Sequence, residues 1–309
     1  MAERIEYDEF GLFHENAEEH GIAFGGPPVV RRTFVEVDPG RRISALVWAD
    51  DDPQLVLLHG GSQNAHTWDT VALALGRPLV AIDLPGHGHS DGPGDHPEGQ
   101  LNTDGNAVDV AKAVRELAPN AAAVIGMSLG GLTTLSLARY APDVVRKAVL
   151  VDVLPGLKGD RAKHIGDFTN GPPSFPSLED LLERTSKFNP NRSLSSLRRG
   201  ILHNAEQQED GSWVWRWARH RSGTASRPER PADGPIYTEL WEAAESLSVP
   251  LLLARGMRPD SVLRDDDEAE LRRRVPSARI EHFDEAGHSI QGDSPVELAA
   301  LIEEFVFSS

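Results

Sequence analysis

Ala122-Ala123-Val124-Ile125-Gly126-Met127-Ser128-Leu129-Gly130-Gly131 drives an apolar run directly into a serine flanked by glycines, and a helical pattern, Leu132 to Tyr140, follows at once. A strand, a one-residue turn and a helix compressed into so few positions leave no room for side chains beside the turn. Glycines at minus two and plus two of Ser128 meet that demand, because any Cβ there would collide with the adjoining strand or helix. The same geometry lifts the Ser128 hydroxyl to the sheet edge and aims the positive end of a helix at it. G-x-S-x-G by itself is a weak signal in a chain with 28 glycines. Its placement between strand and helix carries the weight.

Working outward, short Val/Ile/Leu-rich runs alternate with helical patterns on both sides of this unit. Thr33 to Val37 and Ile43 to Trp48, joined by Asp38-Pro39-Gly40, predict an antiparallel hairpin. Leu55 to Leu58, Pro78 to Leu84, Ala122 to Met127, Val145 to Val153, Val249 to Ala254 and Arg279 to Phe283 complete eight candidate strands. Between them, helices are expected at Thr67 to Leu75, Asn102 to Leu117, Ser128 to Tyr140, Asp265 to Arg274 and Ser294 to Phe307. This rhythm predicts an α/β fold: an eight-stranded, mostly parallel sheet with helices on both faces. From Leu154 to Leu247 the rhythm fails, with eight prolines and no evident buried strand. Helical patterns at Leu178 to Phe188, Ser193 to Gln207 and Ile236 to Leu247 predict a small, mainly helical cap there. The expected division is an N-terminal extension at 1–30, a core at 31–153 and 248–309, and a cap at 154–247.

Composition narrows the classes of partner. The 309 residues carry 31 Lys and Arg against 48 Asp and Glu, a formal charge of −17. Phosphate backbones and anionic bilayers require clustered basic residues, so neither nucleic acid nor a membrane is the expected partner. Cysteine is absent, which excludes disulfides, thiolate nucleophiles and Cys-ligated metal centres. Residues 1–20 are acidic where a secretory leader would be basic and then apolar, and no apolar run approaches a membrane span, so a cytoplasmic location is expected. His14 and His20, six apart beside Glu15, lack the one-turn spacing of metal-binding helical histidines and are read as part of a solvated acidic helix.

A serine hydroxyl needs a base to take its proton. His288, in Asp284-Glu285-Ala286-Gly287-His288-Ser289, follows the last strand and falls on the loop edge where Ser128 also lies. His203 and His220 fall in the cap, and His96 and His164 in irregular stretches. An imidazole base in turn needs a carboxylate to hold its tautomer. Asp260, after the strand Val249 to Ala254, is the favoured acid; Asp152, ending the preceding strand, is the alternative, and both give the chain order serine, acid, histidine. The oxyanion formed on attack requires donors. The Leu129 amide, next to the nucleophile, and the Gly61 amide in His59-Gly60-Gly61-Ser62-Gln63 are the expected pair, with Ser62 the runner-up to Gly61.

Taken together, His59-Gly60-Gly61 through Trp68, Asp83-Leu84-Pro85-Gly86-His87-Gly88-His89-Ser90, Gly126 to Gly131, and Ala286-Gly287-His288 through Asp293-Ser294-Pro295 resemble, in order and spacing, the recurring segments of α/β-hydrolase-fold proteins with a helical cap. Pro259 departs from the pattern, since relatives more often carry a small polar or acidic residue before the acid. The resemblance implies a cofactor-independent serine hydrolase of small or medium carboxylic esters or lactones, with a small molecule as its only required partner and no metal. Ser128 at the elbow disfavours the dehalogenases and epoxide hydrolases, which use aspartate there. Two other readings share the residues: a carbon-carbon bond hydrolase of vinylogous diketone acids, and a ligand-sensing protein that keeps the triad. Within the cap, Trp213, Trp215 and Trp217 alternate and are followed by Arg216, Arg219, His220 and Arg221. Trp215, Arg216, Trp217 and Arg219 are the candidate substrate contacts, an aromatic face with guanidinium groups for a carboxylate.

Overall fold

Leu55, Leu57, Leu79 and Ala81 pack on one face of the sheet, and Val56, Leu58, Val80 and Ile82 on the other, all of them fully buried. Strands buried on both faces read as continuous apolar runs, and helices must then cover both sides. The computed structural model describes residues 4–93, 103–156, 161, 163–219 and 235–308. The chain opens with helix α1 (Phe13–Glu19), then strands β1 (Val30–Asp38), β2 (Arg41–Trp48) and β3 (Leu55–Leu58). A 3-10 turn at Ala65–Trp68 leads into α2 (Asp69–Leu75), followed by β4 (Leu79–Ile82), α3 (Thr103–Leu117), β5 (Ala123–Met127), α4 (Leu129–Tyr140) and β6 (Ala148–Val151).

The segment that interrupts the core contains α5 (Lys163–Thr169), β7 (Ser174–Phe175), α6 (Leu178–Phe188), α7 (Leu194–Asn204), β8 (Ala205–Gln207), β9 (Trp213–Trp215) and α8 (Pro235–Glu245). The core then resumes with β10 (Leu251–Gly256), α9 (Asp265–Arg274), β11 (Arg279–Phe283), α10 (Ile290–Asp293) and α11 (Pro295–Phe307). Eight strands line up in the order β1-β2-β4-β3-β5-β6-β10-β11. β2 runs antiparallel to both its neighbours, and every pairing from β4 through β11 is parallel. The eight strands fall where the sequence places them. On one face lie α3, α4, α8 and α9, through residues such as Val110, Leu135, Trp241 and Leu271; on the other lie α1, α2, α10 and α11, through Phe13, Val71, Ile290 and Leu298.

The interrupting segment adds a small sheet to its helices. β7, β9 and β8 form a second, three-stranded antiparallel sheet, with Ala205 opposite Trp215 and Phe175 opposite Trp213. Trp213 and Trp215 are buried and Val214 is half-buried, the period-two pattern of a strand packed on one side. α8 packs against α4, and Leu240 and Trp241 belong to the main core rather than to the cluster of Phe175, Leu181, Ile201, Trp213, Trp215 and Trp217.

α1 is not merely solvated. Phe13 and Ala17 are buried, and the Phe13 ring lies 5.0 Å from that of Trp48. Its acids turn outward to the interrupting segment, where Glu15 and Glu19 both pair with Arg199 of α7.

Candidate active site

Ser128 sits between β5 and α4 with φ 50° and ψ −116°, a conformation that a side-chain-bearing residue adopts only under constraint. The constraint is tight packing of glycines. A Cβ on Gly126 would stand 2.3 Å from the Gly130 carbonyl oxygen, and one on Gly130 would stand 2.2 Å from that of Leu58. Neither distance is possible for a real side chain, so the elbow exists only with these two glycines. Besides Ser128, Ser62 and Asp152 also have positive φ, at 63° and 46°; among the described non-glycine residues only Ala49 shares this. Three strained residues thus converge on one edge of the sheet, where β3, β5 and β6 end side by side.

Next to the elbow, the imidazole of His288 places Nδ1 2.9 Å from Oδ2 of Asp152. A carboxylate only accepts, so Nδ1 carries the proton and Nε2 keeps the lone pair that a base requires. Asp152 is completely buried, directly after β6. Its Oδ1 accepts from the Gly256 amide at 3.0 Å and the Ser261 hydroxyl at 2.7 Å, and Oδ2 accepts from the Val262 amide at 3.2 Å. Four donors around one carboxylate make burial of its charge tolerable and fix its orientation.

Asp260, expected as the partner of His288, is elsewhere. Its side chain is half exposed, with Oδ1 3.5 Å from Nε of Arg258. The carboxylate occupies the space beside Gly287, where a Cβ would come within 2.4 Å of it. The turn after β10 sends Asp260 outward and turns its neighbours Ser261 and Val262 inward to Asp152. Asp152, the alternative, is therefore the carboxylate that meets the imidazole, and the expectation for Asp260 is corrected.

Among the described residues, the amides of Leu129 and Gly61 donate to no protein acceptor. The Gly60–Gly61 peptide is oriented by His59, which is fully buried. The Leu84 amide donates to His59 Nε2 at 2.9 Å, so Nδ1 carries the proton and donates to the Gly60 carbonyl at 2.7 Å. Burial pushes the imidazole below its ordinary pKa, which keeps this neutral tautomer. In a trans peptide the N–H points opposite to the C=O, so the Gly61 amide faces away from His59. Gln63 closes the turn: the Gly60 amide donates to its Oε1 at 3.1 Å, and its own amide donates to the Gly60 carbonyl at 3.2 Å. The loop lies against the elbow, since a Cβ on Gly60 would be 3.3 Å from Cβ of Ser128.

The tryptophans proposed as substrate contacts are committed elsewhere. Trp215 meets Phe168 and Phe175 edge-on, Trp217 stacks on Trp215 at 6.1 Å, and both indoles are buried in the small sheet's own cluster. Arg219 pairs with Glu206. The Arg216 side chain has no hydrogen bond or ion pair among the described residues, and its Nε is buried without an acceptor. His96, His220 and Arg221 lie outside the described residues.

Sequence reasoning missed a polar network that joins the N-terminal extension, the interrupting segment and the core. Tyr7 Oη lies 2.6 Å from Nδ1 of His203 in α7, and the Ile5 amide donates to Gln207 at 2.9 Å. Glu9 pairs with Arg32 and lies 3.1 Å from Nε2 of His66, whose Nδ1 is 2.9 Å from Asp69. Arg32 continues to Asp83 at 2.7 Å. Burial opposes the charge of His66, but the carboxylates of Asp69 and Glu9, one on each ring nitrogen, outweigh it and raise the group to about 9. Burial pushes Asp69 upward too, yet a ring with two carboxylate acceptors favours the imidazolium. Glu9, although penalised by burial, is lowered to about 2 by His66 and Arg32.

His66, Asp69 and His203 could together offer three ligand atoms to a cation. The two imidazoles, however, stack at 3.8 Å with planes 12° apart, so their in-plane lone pairs do not converge on one ion. The arrangement suits hydrogen bonding. Two further contacts bring α7 onto the loop after β3: Asn64 Nδ2 donates to the His203 carbonyl at 2.9 Å, and Asn204 Nδ2 donates to the Ser62 carbonyl at 2.7 Å.

Comparison with known proteins is consistent with this geometry. The profile of the Alpha/beta hydrolase family matches residues 55–301. The chain is 41% identical over 304 residues to the esterase Rv0045c of Mycobacterium tuberculosis, covering 96% of this chain and 94% of that one. A solved structure of the M. tuberculosis esterase superposes with a TM-score of 0.82 at 39% identity, covering 97% of this chain and 98% of the other. A putative 2-succinyl-6-hydroxy-2,4-cyclohexadiene-1-carboxylate synthase of Bacillus subtilis is 27% identical, over 84% of this chain and 94% of its own length.

Proposed function

The chain belongs to the alpha/beta hydrolase family, and on that premise we propose that it is a serine hydrolase that cleaves small or medium carboxylic esters through an acyl-enzyme. The observation that carries this reading is the hydrogen bond between His288 and Asp152 at the edge where β5 delivers Ser128. In the proposed cycle, Nε2 of His288 accepts the Ser128 proton as Oγ attacks the ester carbonyl. Asp152 holds the ring and stabilises the imidazolium. The amides of Leu129 and Gly61 receive the oxyanion at the N-terminus of α4, where the helix dipole adds to the field. His288 then protonates the departing alcohol and activates water to release the acid, restoring free serine.

The similarity to an esterase over nearly the whole chain supports an ester as substrate. The segment between β6 and β10 acts in this reading as a cap over the site, held down by Asn204 on the Ser62 carbonyl and by the N-terminal network. No step uses a metal or organic cofactor. Hydrolysis of p-nitrophenyl butyrate by the parent and by Ser128→Ala tests the proposal: the parent turns over and the variant does not, whereas equal rates would refute it.

A further inference from the structure

Arg32, Arg41, Arg199 and Arg255 are buried or half-buried and each holds carboxylates. Arg216 is half-buried and holds none among the described residues. Glu206, whose charge acts on Arg216, is engaged by Arg219. A guanidinium removed from water without a counter-ion is costly, and a neutral side chain would relieve that cost. β8 and β9 pair Ala205 with Trp215, so Asn204 and Arg216, the residues just beyond that pair, lie at the same end of the ladder. Asn204 is the residue that donates to the Ser62 carbonyl beside Gly61, which sets Arg216 at the flank of the oxyanion loop. The charge of Arg216 also reaches Tyr7, His89 and His203. None of these offers compensation: Tyr7 and His203 bond each other, and His89 is a neutral imidazole, lowered to about 4 by burial, then by Arg32 and Arg216.

We propose that Arg216 is the anion-recognising residue of the substrate cleft, so that the preferred substrates are esters bearing a carboxylate away from the scissile bond. The inference rests on the ester-hydrolase reading and adds the substrate class. A planar fork of N–H donors suits a carboxylate, and a half-dehydrated site strengthens the pairing. Trp215 and Trp217 play no direct part; they hold the strand that presents Arg216.

Two matched pairs of esters test the proposal. One pair places the carboxylate in the acyl group, p-nitrophenyl hemiglutarate against p-nitrophenyl butyrate; the other places it in the alcohol, carboxymethyl butyrate against ethyl butyrate. The anionic-to-neutral ratio of kcat/KM falls about 10- to 100-fold in Arg216→Met for at least one pair. Arg216→Lys recovers part of the ratio. An unchanged ratio in both pairs would overturn the proposal. Arg216→Gln carries the same comparison should the Met variant fail to fold. If the parent hydrolyses no ester, the ester reading fails separately, and calorimetric binding of glutarate decides for the subsite: binding that Arg216→Met abolishes supports it, and no binding to the parent overturns it.

Discussion

Oδ2 of Asp152 lies 2.9 Å from Nδ1 of His288, although 136 residues separate the two in sequence. The carboxylate nearer in sequence, Asp260, instead lies beside Arg258 at the surface. If the carboxylate's task is to fix the imidazole tautomer, Asp152→Asn lowers kcat by about 10⁴. Asp260→Asn leaves kcat within a few-fold of the parent. Steady-state ester hydrolysis by the two variants decides between them, and a larger loss in Asp260→Asn would reverse the assignment.

Gly130 is the hinge of the elbow. With a Cβ 2.2 Å from the Leu58 carbonyl oxygen, Gly130→Ala forces α4 away from β3 and costs about 1–3 kcal/mol or more in stability. Gly200, exposed within α7, has open space around it, so Gly200→Ala gains about 0.5–1 kcal/mol from helix propensity. Urea unfolding of both variants measures the contrast. Similar changes in the two would mean that the close approach is not what shapes the turn.

In the proposed mechanism His59 acts on the reaction through the Gly60–Gly61 peptide plane. Its removal in His59→Ala leaves the Gly60 carbonyl held by the Gln63 amide alone and loosens the aim of the Gly61 amide at the oxyanion, an effect of up to about 10²-fold in kcat, the loss of one donor. KM changes little by comparison, because the ground-state carbonyl depends less on that donor. A rise in KM with kcat intact would instead place His59 in substrate binding.

Stability should depend on pH through the network under the N-terminal extension. His66 is raised from an ordinary 6.5 to about 9, so its stabilisation is complete below pH 6.5 and is lost as pH rises through 9. Glu9 is lowered from 4.5 to about 2, so its stabilisation is present above pH 4.5 and is lost as pH falls toward 2. Between pH 4.5 and 6.5 both contributions are at their fullest. Thermal unfolding midpoints of the parent therefore fall on either side of that window, and Glu9→Gln shows a weaker fall on both. Parallel profiles for the two proteins would show that the network does not set the pH dependence.

The elbow was legible because one short run carries its own constraint: an apolar strand, Ser128, and glycines two positions to either side, where a Cβ would collide with backbone. The eight strands were legible for a related reason, since runs such as Leu55 to Leu58 must be buried on both faces. The carboxylate was not, because Asp152 and Asp260 satisfy the same chain order. What separates them is a fold in the turn after β10, where Ser261 and the Val262 amide reach Asp152. A signal existed in the run Val149-Leu150-Val151-Asp152: a charge directly on the end of a buried strand must find partners, whereas Asp260 follows Pro259 in a polar turn. The strand in the interrupting segment was also readable, since Trp213 and Trp215 alternate about Val214 with period two. The roles of Tyr7, Glu9 and Asn204 were not, because their partners His203, His66 and Ser62 come together only through tertiary contact.

The central claim is that Ser128 is a nucleophile made reactive by His288. Labelling with a fluorophosphonate, followed by peptide mass mapping, tests it most directly. The account predicts one adduct, on the peptide containing Ser128, absent in Ser128→Ala and slowed by several orders of magnitude in His288→Ala. An adduct on another residue, or labelling of His288→Ala at the parental rate, would contradict it.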